Sequence, residues 1–137
     1  MYLLDTMVVS EPFKRSPLAR VLGWLERTEQ SDQFISVLTI GELTRGLARA
    51  RQADAAFAVR LEQWIATTER VYLARILAVD IEVARAWGLL ADRLGHGTAD
   101  VLLAATALVH DLTVVTRNVR RFERTGVRTL DPYAEPA

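Results

Sequence analysis

The sequence predicts an α/β domain built on a mainly parallel sheet. Two patterns predict it. Short apolar runs rich in β-branched residues alternate with longer stretches whose apolar positions recur at helical spacing. The helical stretches are also long enough to cross a sheet face between neighbouring parallel strands. At 137 residues, with 50% hydrophobic and 25% charged side chains, the chain has room for one domain with a real core and is too short for two. No internal repeat, low-complexity segment or linker interrupts it, so residues 1–137 are expected to form a single domain.

The elements follow in order. Tyr2-Leu3-Leu4 is an apolar run that stops at Asp5, as a buried strand would. Pro17 suits the first turn of a helix through Val21, Leu22 and Leu25, where its missing N–H does no harm. Gln33 to Val37 reads as a second strand. From Thr39 the positions Ile40, Leu43 and Leu47 keep helical spacing, and Thr39-x-x-Glu42 has the form of a capping box. Phe57, Leu61, Trp64 and Ile65 form another helical stripe, with Arg60 and Glu62 facing out.

Arg75 to Val79 reads as a third strand, and Asp80 as the cap of the helix that follows. Val83, Trp87, Leu90, Ala91 and Leu94 continue that helix to Gly95. Ala99 to His110 is almost wholly apolar, so that helix is expected to be buried nearly all round. Leu112 to Thr116 is a fourth, β-branched strand, and Val127 to Leu130 offers a fifth.

Composition excludes several chemistries. Without cysteine there are no disulfides, thiolate zinc sites or cysteine nucleophiles. No apolar run is long enough to span a membrane, and Asp5 and Glu11 break the pattern of a signal peptide, so a cytoplasmic location is expected. Ser10 lacks a glycine-flanked elbow, and there is no glycine-rich phosphate loop. His96 and His110 have no ligand partner at helical spacing. Net charge is zero, yet Arg117, Arg120, Arg121, Arg124 and Arg128 crowd one C-terminal stretch. They read equally as a solvated face or as a phosphate-binding surface.

Ligands of open parallel sheets gather beyond the carboxyl ends of the strands. Asp5 and Asn118 fall there, and Glu42 and Asp100 lie near helix starts. If they converge, three carboxylates and a carboxamide form an all-oxygen set suited to Mg²⁺ or Mn²⁺, and to phosphodiester hydrolysis. Each acid also has a plain reading: Asp5 ends a strand, Glu42 completes a capping box, Asp100 caps a helix.

Four segments in order, LLDTMVVSE, SVLTIGELTRGL, DVLLAATALVHDLTVVTRNVRRF and LDPY, resemble the VapC-like PIN-domain toxins. LAVDIEVARAWGLL, between the second and third, resembles the same family, so the likeness runs from Tyr2 to Tyr133. It implies a three-layer α/β/α fold and an endoribonuclease using Mg²⁺ or Mn²⁺. The acids carried over are Asp5, Glu42 and Asp100, with Asn118 as the fourth site position. Thr116 resembles a supporting hydroxyl, with Thr6 beside the first acid, and Arg117 is the expected phosphate contact. The resemblance further implies a homodimer and a cognate antitoxin whose C-terminal segment blocks the active site.

Two departures bear on this. The family usually has asparagine where this chain has Met7, and relatives with asparagine at the Asn118 position commonly carry an acid where this chain has Arg121. One ion rather than two is therefore expected, with reduced activity. The alternative is an impaired PIN protein that binds RNA or antitoxin without cutting.

Overall fold

In the computed structural model, which describes residues 1–135, the strands pair in the order β3–β2–β1–β4–β5, every pair parallel. Strand β1 is Tyr2–Leu4, β2 Gln33–Ser36, β3 Ile76–Leu77, β4 Thr113–Val115 and β5 Thr129–Leu130. Helix α1 is Thr6–Ser10, α2 Ala19–Arg27, α3 Val37–Ala53, α4 Ala55–Tyr72, α5 Ile81–Leu94 and α6 Ala99–Val109. The last two positions of the expected 1–137 domain lie outside the described residues.

The chain builds outward from β1 to β2 and β3 on one side, then crosses to β4 and β5 on the other. That reversal places a topological switch point between β1 and β4, where Leu3 pairs with Val114 and Leu4 with Val115. Alternation along the strands assigns each residue to a face. Leu3 and Val114 pack with Leu90, Leu94 and Leu103 of α5 and α6. Leu4, Ile35 and Val115 pack on the other face with Val8, Val21 and Tyr72. Both Leu3 and Leu4 are fully buried, so either leucine cut to alanine costs about 2–5 kcal/mol. Helices on both faces give the three layers expected.

The third cluster is a helical hairpin. Leu43, Leu47 and Ala50 of α3 meet Ala58, Leu61 and Ile65 of α4, with Phe13, Phe57 and Trp64 beside them. One residue, Asp54, joins these helices; its extended backbone breaks α3, and its Oδ1 accepts from Phe57 N at 3.1 Å to start α4. Asp80 caps α5 as expected, and Gly95 ends it at φ 81°, a left-handed geometry that favours glycine.

Several boundaries differ from the sequence reading. Ser36, not Thr39, caps α3, because the strand ends there and its hydroxyl accepts from Leu38 N at 3.0 Å. Val37 therefore joins the helix rather than the strand, and no capping box forms between Thr39 and Glu42. Pro17 lies before the helix, since α2 begins at Ala19 after a cap at Leu18. The third strand is only Ile76–Leu77, an edge paired on one side with β2. Thr98, not Asp100, holds the cap position of α6, and that helix ends at Val109. Among the described residues, no helix is long and apolar enough to cross a membrane.

Candidate active site

Asp5 is fixed from three directions. Its backbone N–H donates to Val115 O at 2.9 Å, extending the β1–β4 pairing by one bond. It then leaves the strand in an extended conformation as the cap of α1, and Oδ1 accepts from Thr6 N at 2.8 Å. Its other oxygen, Oδ2, accepts from Thr116 Oγ1 at 2.8 Å. Thr116 is fully buried, held by its own N–H to Leu130 O at 2.9 Å, and its hydroxyl accepts from Asn118 N at 3.0 Å. With an N–H directed at it, that hydroxyl has its single proton left for Asp5. Sequence order thus becomes site order: the carboxyl ends of β1 and β4 meet through one hydroxyl.

Glu42 arrives on α3. Thr39, three residues earlier and almost fully buried, shares a 3.0 Å hydroxyl contact with Thr6, which docks α3 onto α1. Positions three apart lie on one helix face, so Glu42 projects one turn farther along the same side. Asp100 arrives in the first turn of α6. The loop before it is pinned, because a Cβ added to Gly97 would lie 2.5 Å from the Trp87 ring, and only glycine permits that approach. Asn118 immediately precedes a short 3₁₀ turn, Val119–Phe122, and its Nδ2 donates to the Met7 thioether at 3.7 Å.

These elements enclose a cleft of about 340 Å³ at the switch point, whose walls include Asp5, Thr6, Met7, Glu42, Asp100, Asn118 and Arg121. The three expected acids and Asn118 therefore share one cleft, with Thr116 beneath Asp5. Arg117 lies outside it. Its guanidinium sits 4.9 Å over the ring of Tyr133, and the residue also lines a neighbouring cavity of about 350 Å³ with Asn118, Val119, Arg120 and Arg121. Neither His96 nor His110 lines either space.

The charges in the cleft oppose one another. Desolvation in the cleft pushes the Glu42 carboxyl up, even though the residue sits exposed on the rim; the Thr6 hydroxyl works against this, and the charges of Asp5 and Asp100 add to the rise. Burial likewise raises the Asp100 carboxyl; Arg121 lowers it, Asp5 raises it and His96 lowers it. Arg121 Nη1 lies 3.7 Å from Asp100 Oδ2. Among the described residues, no three carboxylate or imidazole side chains lie close enough to ligate one ion as they stand. The acids converge on one space without touching a common point in it.

Sequence reasoning missed Thr39, whose hydroxyl was assigned to a cap that Ser36 supplies. It also missed the Arg121–Asp100 pair and the cluster behind α1. There Tyr133 Oη donates to Met7 O at 3.2 Å, and Arg20 Nη1 donates to Tyr133 O at 2.7 Å. Burial raises the Tyr133 hydroxyl far above its ordinary range; the adjacent Glu11 carboxylate adds to that, and Arg117 opposes it. Glu11 is itself buried, with Lys14 Nζ at 3.0 Å. The one available signal was the pairing of a buried-strand motif with the terminal LDPY, which gives no direction of contact.

Comparison with known proteins agrees with this fold. A family profile described as PIN domain matches residues 2–127. Toxin FitB of Neisseria gonorrhoeae is 35% identical over 140 residues, covering 97% of this chain and 99% of FitB. VapC ribonuclease Y4jK of Sinorhizobium fredii is 34% identical over 147 residues, covering all of both chains. The crystal structure of FitAcB from N. gonorrhoeae superposes with a TM-score of 0.87 at 32% identity, covering 97% and 99% of the two chains. The chain belongs to the PIN-domain family, and it is similar to toxin FitB and VapC ribonuclease Y4jK along nearly its whole length.

Proposed function

We propose that the protein is a divalent-cation-dependent endoribonuclease and the toxin of a toxin–antitoxin pair. The observation that carries this reading is the convergence of Asp5, Glu42, Asp100 and Asn118 on one cleft at the switch point of the sheet. The names of its relatives, a toxin and a ribonuclease, support the same reading. A nuclease toxin kept inside its own cell requires a neutralising partner, and a cognate antitoxin in the cytoplasm is that partner. Pairing with a second copy of the chain belongs to the same proposal.

The donor set fits a hard cation by its chemistry: every donor is oxygen, neighbouring carboxylate charge adds to the raised proton affinity of Glu42 and Asp100, and Asp100 has only the 3.7 Å approach of Arg121 to offset it. Asp5, Glu42 and Asp100 would hold Mg²⁺ or Mn²⁺, with Asn118 supplying a neutral carbonyl oxygen. Bound there, the ion supplies charge neutralisation and water activation for phosphodiester hydrolysis.

The protein's own residues do the rest. Asp5 arrives oriented, with one oxygen on Thr6 N–H and the other on Thr116. Glu42 and Asp100 would reach the ion from α3 and α6, on either side of Asp5. Arg117, held over Tyr133 beside the cleft, contacts the RNA backbone.

The test is cleavage of single-stranded RNA and its deoxy counterpart by antitoxin-free protein, with Mg²⁺, Mn²⁺ or EDTA. Cation-dependent product from RNA, lost in EDTA and in Asp5→Ala, is the expected result. Binding of RNA without product in either metal supports the second reading, an impaired PIN protein, which Met7 at the rim and Arg121 on Asp100 favour.

A further inference from the structure

Arg121 is shared by the two cavities. It lines the acidic cleft, and it also lines the adjoining space with Arg117, Asn118, Val119 and Arg120. No carboxylate lines that second space among the described residues, so it suits an anion. The base of Arg121 is anchored: its N–H donates to Asn118 O at 3.1 Å, and the next residue, Phe122, is buried in the core between the sheet and α5–α6. Its side chain is free by contrast, with 63% of its surface exposed. The contact with Asp100 is a single approach at 3.7 Å, longer than the roughly 2.7–2.9 Å of a charge-assisted hydrogen bond. An exposed pair of this kind is weak and exchanges readily.

We propose that Arg121 is a substrate-binding residue with two alternative partners. It pairs with Asp100 while the cleft lacks a cation, and when a divalent cation takes that carboxylate it turns to the arginine-lined cavity to hold an RNA phosphate. This rests on the reading of Asp5, Glu42 and Asp100 as a cation site. The guanidinium and the cation compete for Asp100, and the planar guanidinium then matches phosphate oxygens. Cation and phosphate therefore bind with positive coupling, and the coupling is reciprocal. Arg121 is on this account a working part of the site.

The experiment uses the full antitoxin-free chain and its Arg121→Gln and Arg121→Lys variants. Mn²⁺ alone is titrated by calorimetry, and adenosine monophosphate by NMR with and without saturating Mg²⁺. Arg121→Gln is expected to bind Mn²⁺ about two- to fivefold more tightly, the range of an exposed ion pair. It should also lose the gain in nucleotide affinity that Mg²⁺ gives the parent, while Arg121→Lys keeps the parental Mn²⁺ affinity and only part of the nucleotide gain. Equal or weaker Mn²⁺ binding by Arg121→Gln, or an unchanged nucleotide response, overturns the proposal. If Asp5→Asn abolishes Mn²⁺ binding in either of those cases, the acid site stands and only the role of Arg121 fails. If the parent binds no Mn²⁺ at all, both readings fall together.

Discussion

Thr116 Oγ1 donates to Asp5 Oδ2 at 2.8 Å, joining the carboxyl ends of β1 and β4 across a sequence distance of 111 residues. The same hydroxyl accepts from Asn118 N, so one buried side chain sets the orientation of an acid and the start of the turn carrying Asn118. Thr116→Val keeps the shape and removes the hydroxyl. It leaves Asp5 Oδ2 and Asn118 N–H without partners, and the expected loss of stability is about 1–3 kcal/mol. Cleavage should fall by about 10- to 100-fold, the range for partners that orient metal ligands. Thr116→Ser should restore most of both. Denaturant melts and initial rates check the pair of effects.

Glu42 and Asp100 make the cation-free protein sensitive to pH. Their carboxyls are raised above the ordinary values of 4.5 and 3.8, so the folded state favours their protonated forms. That contribution is fully present below the ordinary values and is lost as pH rises through the raised ones. In EDTA at neutral pH, Glu42→Gln should therefore melt higher than the parent, by about 1–3 °C given the exposure of the group. The difference should vanish near pH 4 and shrink when Mg²⁺ is added. A lower melting temperature for Glu42→Gln in EDTA at neutral pH would contradict the electrostatic account of the cleft.

Lys14 is the only lysine in the chain, and its ammonium lies 3.0 Å from the carboxylate of Glu11, a side chain only 2% exposed. Lys14→Ala leaves that carboxylate buried without its counter-charge. The half-exposed position of Lys14 admits water, so the expected cost is about 1–2 kcal/mol, below that of breaking a fully buried pair. Lys14→Arg should cost less than half as much. Urea midpoints of the two variants decide this.

Met7 accepts a weak 3.7 Å hydrogen bond from Asn118 Nδ2. Sulfur is a poor acceptor, and an amide there can offer a stronger one. Met7→Asn is expected to raise the cleavage rate by about threefold to tenfold, a modest effect on the scale of indirect contacts to a metal site. Met7→Leu, which removes the acceptor and keeps the bulk, should lower it. Rates for the three proteins at one Mg²⁺ concentration provide the comparison.

The fold was legible where local pattern and tertiary packing agree. Tyr2–Leu4, the stripe from Val83 to Leu94 and the apolar run from Ala99 owe their form to hydrophobic spacing that the sequence displays directly. Boundaries were less legible, because Ser36 and Thr39 are both competent caps and only the end of β2 decides between them. The choice of Asp5, Glu42 and Asp100 as candidate site residues was legible from the family motifs. Their shared cleft was not, since it depends on α3 and α6 meeting from elements nearly sixty residues apart. The contacts of Arg121 with Asp100 and of Tyr133 with Met7 had no periodic signal at all.

The most direct measurement is diffraction from crystals of the antitoxin-free protein grown with Mn²⁺, recorded at the manganese absorption edge. The account predicts one anomalous peak in the cleft at coordination distance, about 2.0–2.2 Å, from carboxylate oxygens of Asp5 and Asp100, with Arg121 turned away from Asp100. A protein that remains unloaded at saturating Mn²⁺, or a peak elsewhere on the surface with Arg121 still on Asp100, would contradict it.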